Sequence, residues 1–182
     1  MRYKLCILFF LFNVLSYAQG EANNWYFGNK AGISFNSGVP FALTDGEMQA
    51  DEGCATLSDA NGQLLFYTNG ITVWNRNHQI MPNGTGLLGH QSSTQSGTIV
   101  PMPGSTHLFY VFTLDFQSNP NGFRFSVVDL NLDGVNGAVT NEKNILVYTP
   151  STECLGVTKH GNGIDFWIIT HGWNSNSFIA YQ

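Results

Sequence analysis

Charge is what this chain has least of. Lys, Arg, Asp and Glu make up 10% of its 182 residues, seven basic against twelve acidic. Arg2 and Lys4 stand at the extreme N-terminus, so the rest carries five cations and a net charge of −7. Five cations spread over so long a stretch cannot form a phosphate-binding stripe, which excludes nucleic acid as a partner. Cysteine is almost as rare: beyond Cys6 only Cys54 and Cys154 occur. Past the first twenty residues no apolar run approaches the ~20 needed to cross a bilayer as a helix, so no membrane span is expected. There is no G-x-S-x-G elbow, no phosphate- or dinucleotide-binding glycine motif and no H-E-x-x-H.

The first twenty residues, MRYKLCILFFLFNVLSYAQG, have a positive start, an apolar core over Leu5–Leu15 and a small-x-small exit at Ser16-Tyr17-Ala18. That is the pattern of a secretory signal peptide, residues 1–18, which places the protein in an extracellular or cell-surface setting. Cys6 lies inside the apolar core and not at the exit, which argues against a lipid anchor. An exported protein can pair its cysteines, so Cys54 and Cys154 are either a disulfide or two small apolar residues at equivalent strand positions.

What remains is rich in Gly, Asn, Ser, Thr and aromatics, and is 43% hydrophobic, enough for a sizeable core. Within Glu52–Asn75, three short apolar runs are separated by Asp59-Ala60-Asn61-Gly62 and by Asn69-Gly70. Asn-Gly favours a type I′ turn, so this stretch reads as an antiparallel meander. Its pattern is a small-residue strand, a Gly turn, then an aromatic strand ending in Thr. It runs Cys54–Leu57 then Leu64–Thr68, and recurs as Gly97–Val100 then Leu108–Thr113, and as Leu155–Thr158 then Phe166–Thr170. Third strands follow at Ile71–Asn75, Phe123–Leu130 and Ser177–Tyr181, with vaguer fourth strands at Gln79–Met81 and Ile145–Thr149. Repeats of this length built from strands signal propeller blades. The expected fold is all-β: antiparallel four-stranded blades of a β-propeller over residues 19–182, about three blades plus an N-terminal half-blade at Trp25–Asn36. Since so few blades cannot close a ring, the 182 residues are expected to be the front of a larger protein, whose remaining blades would be a partner of this part.

Asn23–Gly38, Glu52–Gly89, Ser93–Gly104 and Phe166–Phe178 together resemble the N-terminal region of large secreted proteins of gliding bacteria. Those proteins continue into PKD-type β-sandwich repeats and end in a gliding-motility-associated, type IX secretion, type-B sorting domain. The resemblance implies a cell-surface module and export by that route, and carries no catalytic residues with it.

Candidate sites are few. Asp129-Leu130-Asn131-Leu132-Asp133-Gly134 matches the first half of a calcium loop, with Asp129, Asn131 and Asp133 as ligands, but Thr140 stands where a bidentate Glu is required. A strand end running into a Gly turn explains the same residues. Asp51-Glu52 is a carboxylate pair, but adjacent strand residues point to opposite faces, so a solvated loop is the better reading. Five histidines show no ligand spacing, though His160 and His171 flank one hairpin. Trp25 and Trp167 read as core between blades. Trp173, in a polar loop, is the candidate ligand contact. No cofactor is expected. The expectation is a non-catalytic adhesion or binding scaffold contacting protein or polysaccharide. The alternatives are a lectin and part of a carbohydrate-active enzyme whose catalytic residues lie elsewhere.

Overall fold

The computed structural model describes residues 20–182, so the signal-peptide reading of residues 1–18 lies outside them. Over the described residues the fold is all-β: fifteen strands in four antiparallel sheets, none closed on itself. The first sheet holds β1 (Asn24–Phe27), β2 (Ala31–Ser34) and β3 (Phe41–Leu43). The second holds β4 (Ala55–Ser58), β5 (Leu64–Thr68), β6 (Thr72–Asn75) and β7 (Ile80–Thr85). In the third, β8 (Gly97–Pro101), β9 (Leu108–Leu114) and β10 (Phe123–Asp129) are followed by β11 (Ala138–Val139) and β12 (Ile145–Tyr148), which both pair with β10. The fourth is β13 (Ser151–Lys159), β14 (Phe166–Gly172) and β15 (Phe178–Tyr181). Strand positions follow the sequence pattern closely. The expectation of four strands per unit holds in the second sheet; the third has five, because the short β11 shares the edge of β10 with β12, and the first and fourth have three each.

Successive sheets pack face to face in chain order, and the period-2 geometry of a strand shows how. In β5, Tyr67 stacks on Tyr26 of the first sheet at 4.8 Å while its neighbour Phe66 meets Phe109 of the third sheet at 5.6 Å. In β9, Val111 joins the core shared with Phe66, Val73 and Met81, whereas Phe112 and Leu114 join Leu155 and Ile168 of the fourth sheet. Both faces of the middle sheets are therefore covered, which is why LLFY and LFYVFTL are continuous apolar runs and do not alternate with polar residues.

Because so few charges are present, amide side chains fasten the sheets together. Asn24 Nδ2 donates to Ser58 Oγ (2.9 Å) and to the Gly62 carbonyl (2.7 Å) across the first interface. Asn83 Nδ2 donates to the Thr140 carbonyl (2.9 Å), and Asn144 Nδ2 to that of Gly86 (2.9 Å), across the second. Across the third, Gln95 bonds both the N–H and the carbonyl of Leu155.

Four further expectations need correction. Neither Asn-Gly turn is type I′, because only the glycine takes a positive φ: +79° at Gly62 and +80° at Gly70. Asp59 Oδ1 and Asn69 Oδ1 instead accept the N–H groups two or more residues on, forming side-chain-closed loops. Gly70 is needed for a second reason: a Cβ there would lie 2.1 Å from the Ser96 carbonyl oxygen, where the second and third sheets converge.

The three strand-ending threonines are not equivalent either. Thr68 faces the third sheet, its methyl meeting Gly97, whereas Thr113 and Thr170 lie on the faces that turn back toward the preceding sheet. A shift of one residue reverses a strand's faces, so the repeat aligned by its Thr is one place out of register. The same shift separates the cysteines. Both thiols are free; Cys54 is half-buried against the first interface with Sγ 3.7 Å from the Tyr26 carbonyl, and Cys154 is exposed.

Trp25 and Trp167 are not core. Their neighbours Tyr26 and Ile168 point inward, so the two tryptophans fall on the outer faces of the end sheets, with Trp25 52% exposed. On this packing, Phe66→Ala is expected to cost about 3–5 kcal/mol in urea unfolding, while Phe178→Ala, at a residue 77% exposed, changes stability by no more than about 0.5 kcal/mol. Equal losses from the two would contradict the assignment of faces.

Candidate functional site

The most developed concavity is a groove of about 570 Å³ between the third and fourth sheets. The chain builds it by alternation. Tyr110 and Phe112 of β9 and Phe123 and Phe125 of β10 point toward the fourth sheet, and Phe166, Ile168 and Tyr181 answer from β14 and β15. Tyr110 stacks on Phe112 at 5.6 Å and meets Phe125 edge-on at 5.4 Å and 88°, and Phe112 is tilted against Phe123 at 5.5 Å and 38°. One lip carries Asp165. Its carboxylate accepts from Asn162 Nδ2 (2.6 Å) and Gln182 Nε2 (3.2 Å), bonds that hold it below the usual carboxylate range, the Asn162 bond foremost. Aromatic walls with one anionic lip are suited to holding an apolar segment and fixing its orientation.

A polar cleft of about 320 Å³ lies between the second sheet and the segment 47–51 that leads into it. Glu47, Gln49, Asp51, Asn69, Thr72 and Gln91 surround Trp74 there. Beside it runs a hydrogen-bonded chain that sequence reasoning missed. Tyr26 Oη donates to Asp45 Oδ1 (2.8 Å), His78 Nε2 lies 3.4 Å from Asp45 Oδ2, and His78 Nδ1 lies 3.2 Å from Tyr67 Oη, which accepts the Glu47 N–H (3.1 Å). All these groups are satisfied if Nδ1 accepts and Nε2–H donates. Burial pushes the Tyr26 phenol well up, with the Asp45 bond adding to it, and burial likewise raises Tyr67. The four residues are scattered over some fifty positions of the chain, and no local motif joins them.

The residues singled out from the sequence are not brought together. Asp129 spends a carboxylate oxygen on the Asn131 N–H (2.8 Å), and exposed Asp133 opens a short 3₁₀ turn with φ +49°. Among the described residues no three His, Cys, Asp or Glu side chains converge as a metal site. Asp51 and Glu52 are exposed ahead of β4, and Asp51 belongs to the polar cleft. His160 packs on Trp167 (5.2 Å) and His171 on Phe178 (4.8 Å), at opposite ends of β14. Trp173 is half-buried just past β14, its N–H bonded to the Pro150 carbonyl, and lines neither cavity. The groove had a legible signal: Tyr110 and Phe112, alternate residues of LFYVFTL, matched by Phe123 and Phe125, the alternate residues of FRF.

Comparison with protein-family models, with curated proteins and with solved structures gave no match.

The tyrosine pair carries a prediction. Since the folded state holds both phenol protons more tightly than the unfolded chain, unfolding releases protons once the pH passes the unfolded value of about 10. Stability is therefore full below that pH and declines as the pH rises through the alkaline range. Tyr26→Phe should flatten the decline in melting temperature between about pH 9 and 11; an unchanged slope would contradict the role given to Tyr26.

Proposed function

We propose that this chain is an exported, non-catalytic binding module whose stacked sheets form a sector of a β-propeller, acting as an adhesion scaffold at the cell surface. The aromatic groove between the third and fourth sheets carries this reading. A single carboxylate beside six aromatic rings suits retention of a partner more than turnover. Three observations support the propeller geometry: meanders in chain order, shared cores between each successive pair, and contact between the first strands β4 and β8. The signal-peptide pattern and the resemblance to surface proteins of gliding bacteria supply the setting, with protein or polysaccharide as the partner and type IX secretion as the export route.

One observation favours a second reading, a lectin. The cleft at Trp74 gathers amide and carboxylate side chains around an indole, the composition that recognises sugar hydroxyls. Beads coated with the purified chain test both readings. Adhesion to cell surfaces should fall at least about tenfold in Tyr181→Ala or Phe125→Ala and persist in Trp173→Ala and in Asp51→Asn. Incubation with a polysaccharide panel should release no reducing ends. Release of reducing ends would overturn the non-catalytic reading. Loss of adhesion confined to Asp51→Asn would transfer the function to the cleft.

A further inference from the structure

We propose that the stacked Tyr26–Tyr67 pair is a proton-coupled electron-transfer site, which takes up one-electron oxidising equivalents reaching Trp74 at the polar cleft and holds them as a buried phenoxyl radical. This goes beyond the binding reading and does not depend on which concavity holds the partner.

The side chains form a relay. The Asp45 carboxylate lies 3.4 Å from His78 Nε2, and His78 Nδ1 lies 3.2 Å from the Tyr67 hydroxyl. In an accessible site the order carboxylate, imidazole, hydroxyl activates the hydroxyl as a nucleophile. Tyr67 is 0% exposed, so no substrate atom reaches it and bond-forming chemistry is excluded. An electron needs no such contact, and the phenolic proton has an acceptor within hydrogen-bond reach.

The route outward is a stack of rings. Tyr26 lies on Tyr67 at 4.8 Å and 19°, and Tyr67 on Trp74 at 5.5 Å and 9°. Trp74 ends the stack in the wall of the polar cleft. A phenol gives up an electron more readily when a base takes its proton. Among the described residues only Tyr26 and Tyr67 bond to a base through the hydroxyl, to Asp45 and His78; that of Tyr181 meets a main-chain carbonyl. Burial keeps both phenols protonated, so proton and electron must leave together.

Each step balances. A one-electron oxidant at the cleft removes an electron from Trp74 and is itself reduced. Tyr67 returns that electron to the indole and passes its proton to His78 Nδ1. A neutral phenoxyl remains, beside an imidazolium that faces the Asp45 carboxylate. The Glu47 N–H, 3.1 Å away, still donates to the Tyr67 oxygen. Tyr26 then shares the radical by giving an electron to Tyr67 and its proton to Asp45, while Tyr67 recovers its own proton from His78.

Flash-generated tris(bipyridine)ruthenium(III), with hexaamminecobalt(III) as quencher, supplies the oxidant to the purified chain. Transient absorption and freeze-quench electron paramagnetic resonance should show a tyrosyl radical that forms more slowly in heavy water. His78→Gln, whose amide accepts a hydrogen bond but no proton, should slow its formation at least about tenfold. Trp74→Phe should slow it too, the double variant Tyr26→Phe/Tyr67→Phe should lose it, and Tyr181→Phe should leave it unchanged. Should a variant fail to fold, the isotope effect on the unaltered chain still decides. Formation at equal rates in ordinary and heavy water, or in His78→Gln, would overturn the proton relay. Unchanged kinetics in Trp74→Phe would overturn entry at the cleft. A tyrosyl signal that survives the double variant, or the absence of any tyrosyl signal, would overturn the site itself and leave the binding reading untouched.

Discussion

Phe66 and Tyr67 are neighbours in one strand, point to opposite faces, and are both wholly buried. That double burial is the constraint on which the rest depends. A strand exposed on one face alternates polar and apolar residues; one that does not must be sandwiched. Val111 and Phe112 repeat the demand one sheet on. Two middle sheets covered on both sides force four meanders into a stack, with three apolar interfaces following chain order. Trp25 and Trp167 lie on the outer faces of the first and fourth sheets, and the aromatic groove lies at the third interface.

The scarcity of charge takes on a meaning within that stack. Joining sheets through buried Lys–Glu pairs would require desolvating both ions, at a cost of several kcal/mol per ion. The charged side chains that do cross, Lys143 to the Asn83 and Thr85 carbonyls and Glu153 to the Thr94 and Gln117 N–H groups, remain partly exposed. Asparagine and glutamine bond main-chain groups without that penalty, and at least one such amide sits at each of the three interfaces. A composition low in charge and rich in amides is thus the chemistry of fastening as well as of surface polarity. The one histidine in these contacts, His78, joins a ring of neutral phenols and a single carboxylate beside the first interface.

Much of this architecture was legible in the sequence. The Gly-rich turns and aromatic runs locate nearly every strand of the last three sheets to within a few residues, because turn chemistry and period-2 patterning are local. Facing was not legible. Thr68, Thr113 and Thr170 look alike, yet Thr68 turns toward the next sheet and the other two turn back, and only the partner strands reveal it. The expected core positions of Trp25 and Trp167 failed for the same reason. The candidate sites fared less well, since a calcium-like run of Asp and Asn and a loop tryptophan are local patterns. The groove and the Tyr26–Asp45–His78–Tyr67 chain are assembled from strands far apart in sequence, and Tyr110, Phe112, Phe125 and Tyr181 become a site only once two sheets face each other.

Stacking in chain order also grades the molecule's rigidity, since a strand covered on both faces cannot open without breaching two cores. Amide hydrogen exchange read by mass spectrometry measures that directly. The account predicts slowest exchange in β5 and β9, at the centres of the two fully covered sheets, and fastest in β3 and β15, the outer strands of the end sheets. Protection of β15 equal to that of β9 would contradict it.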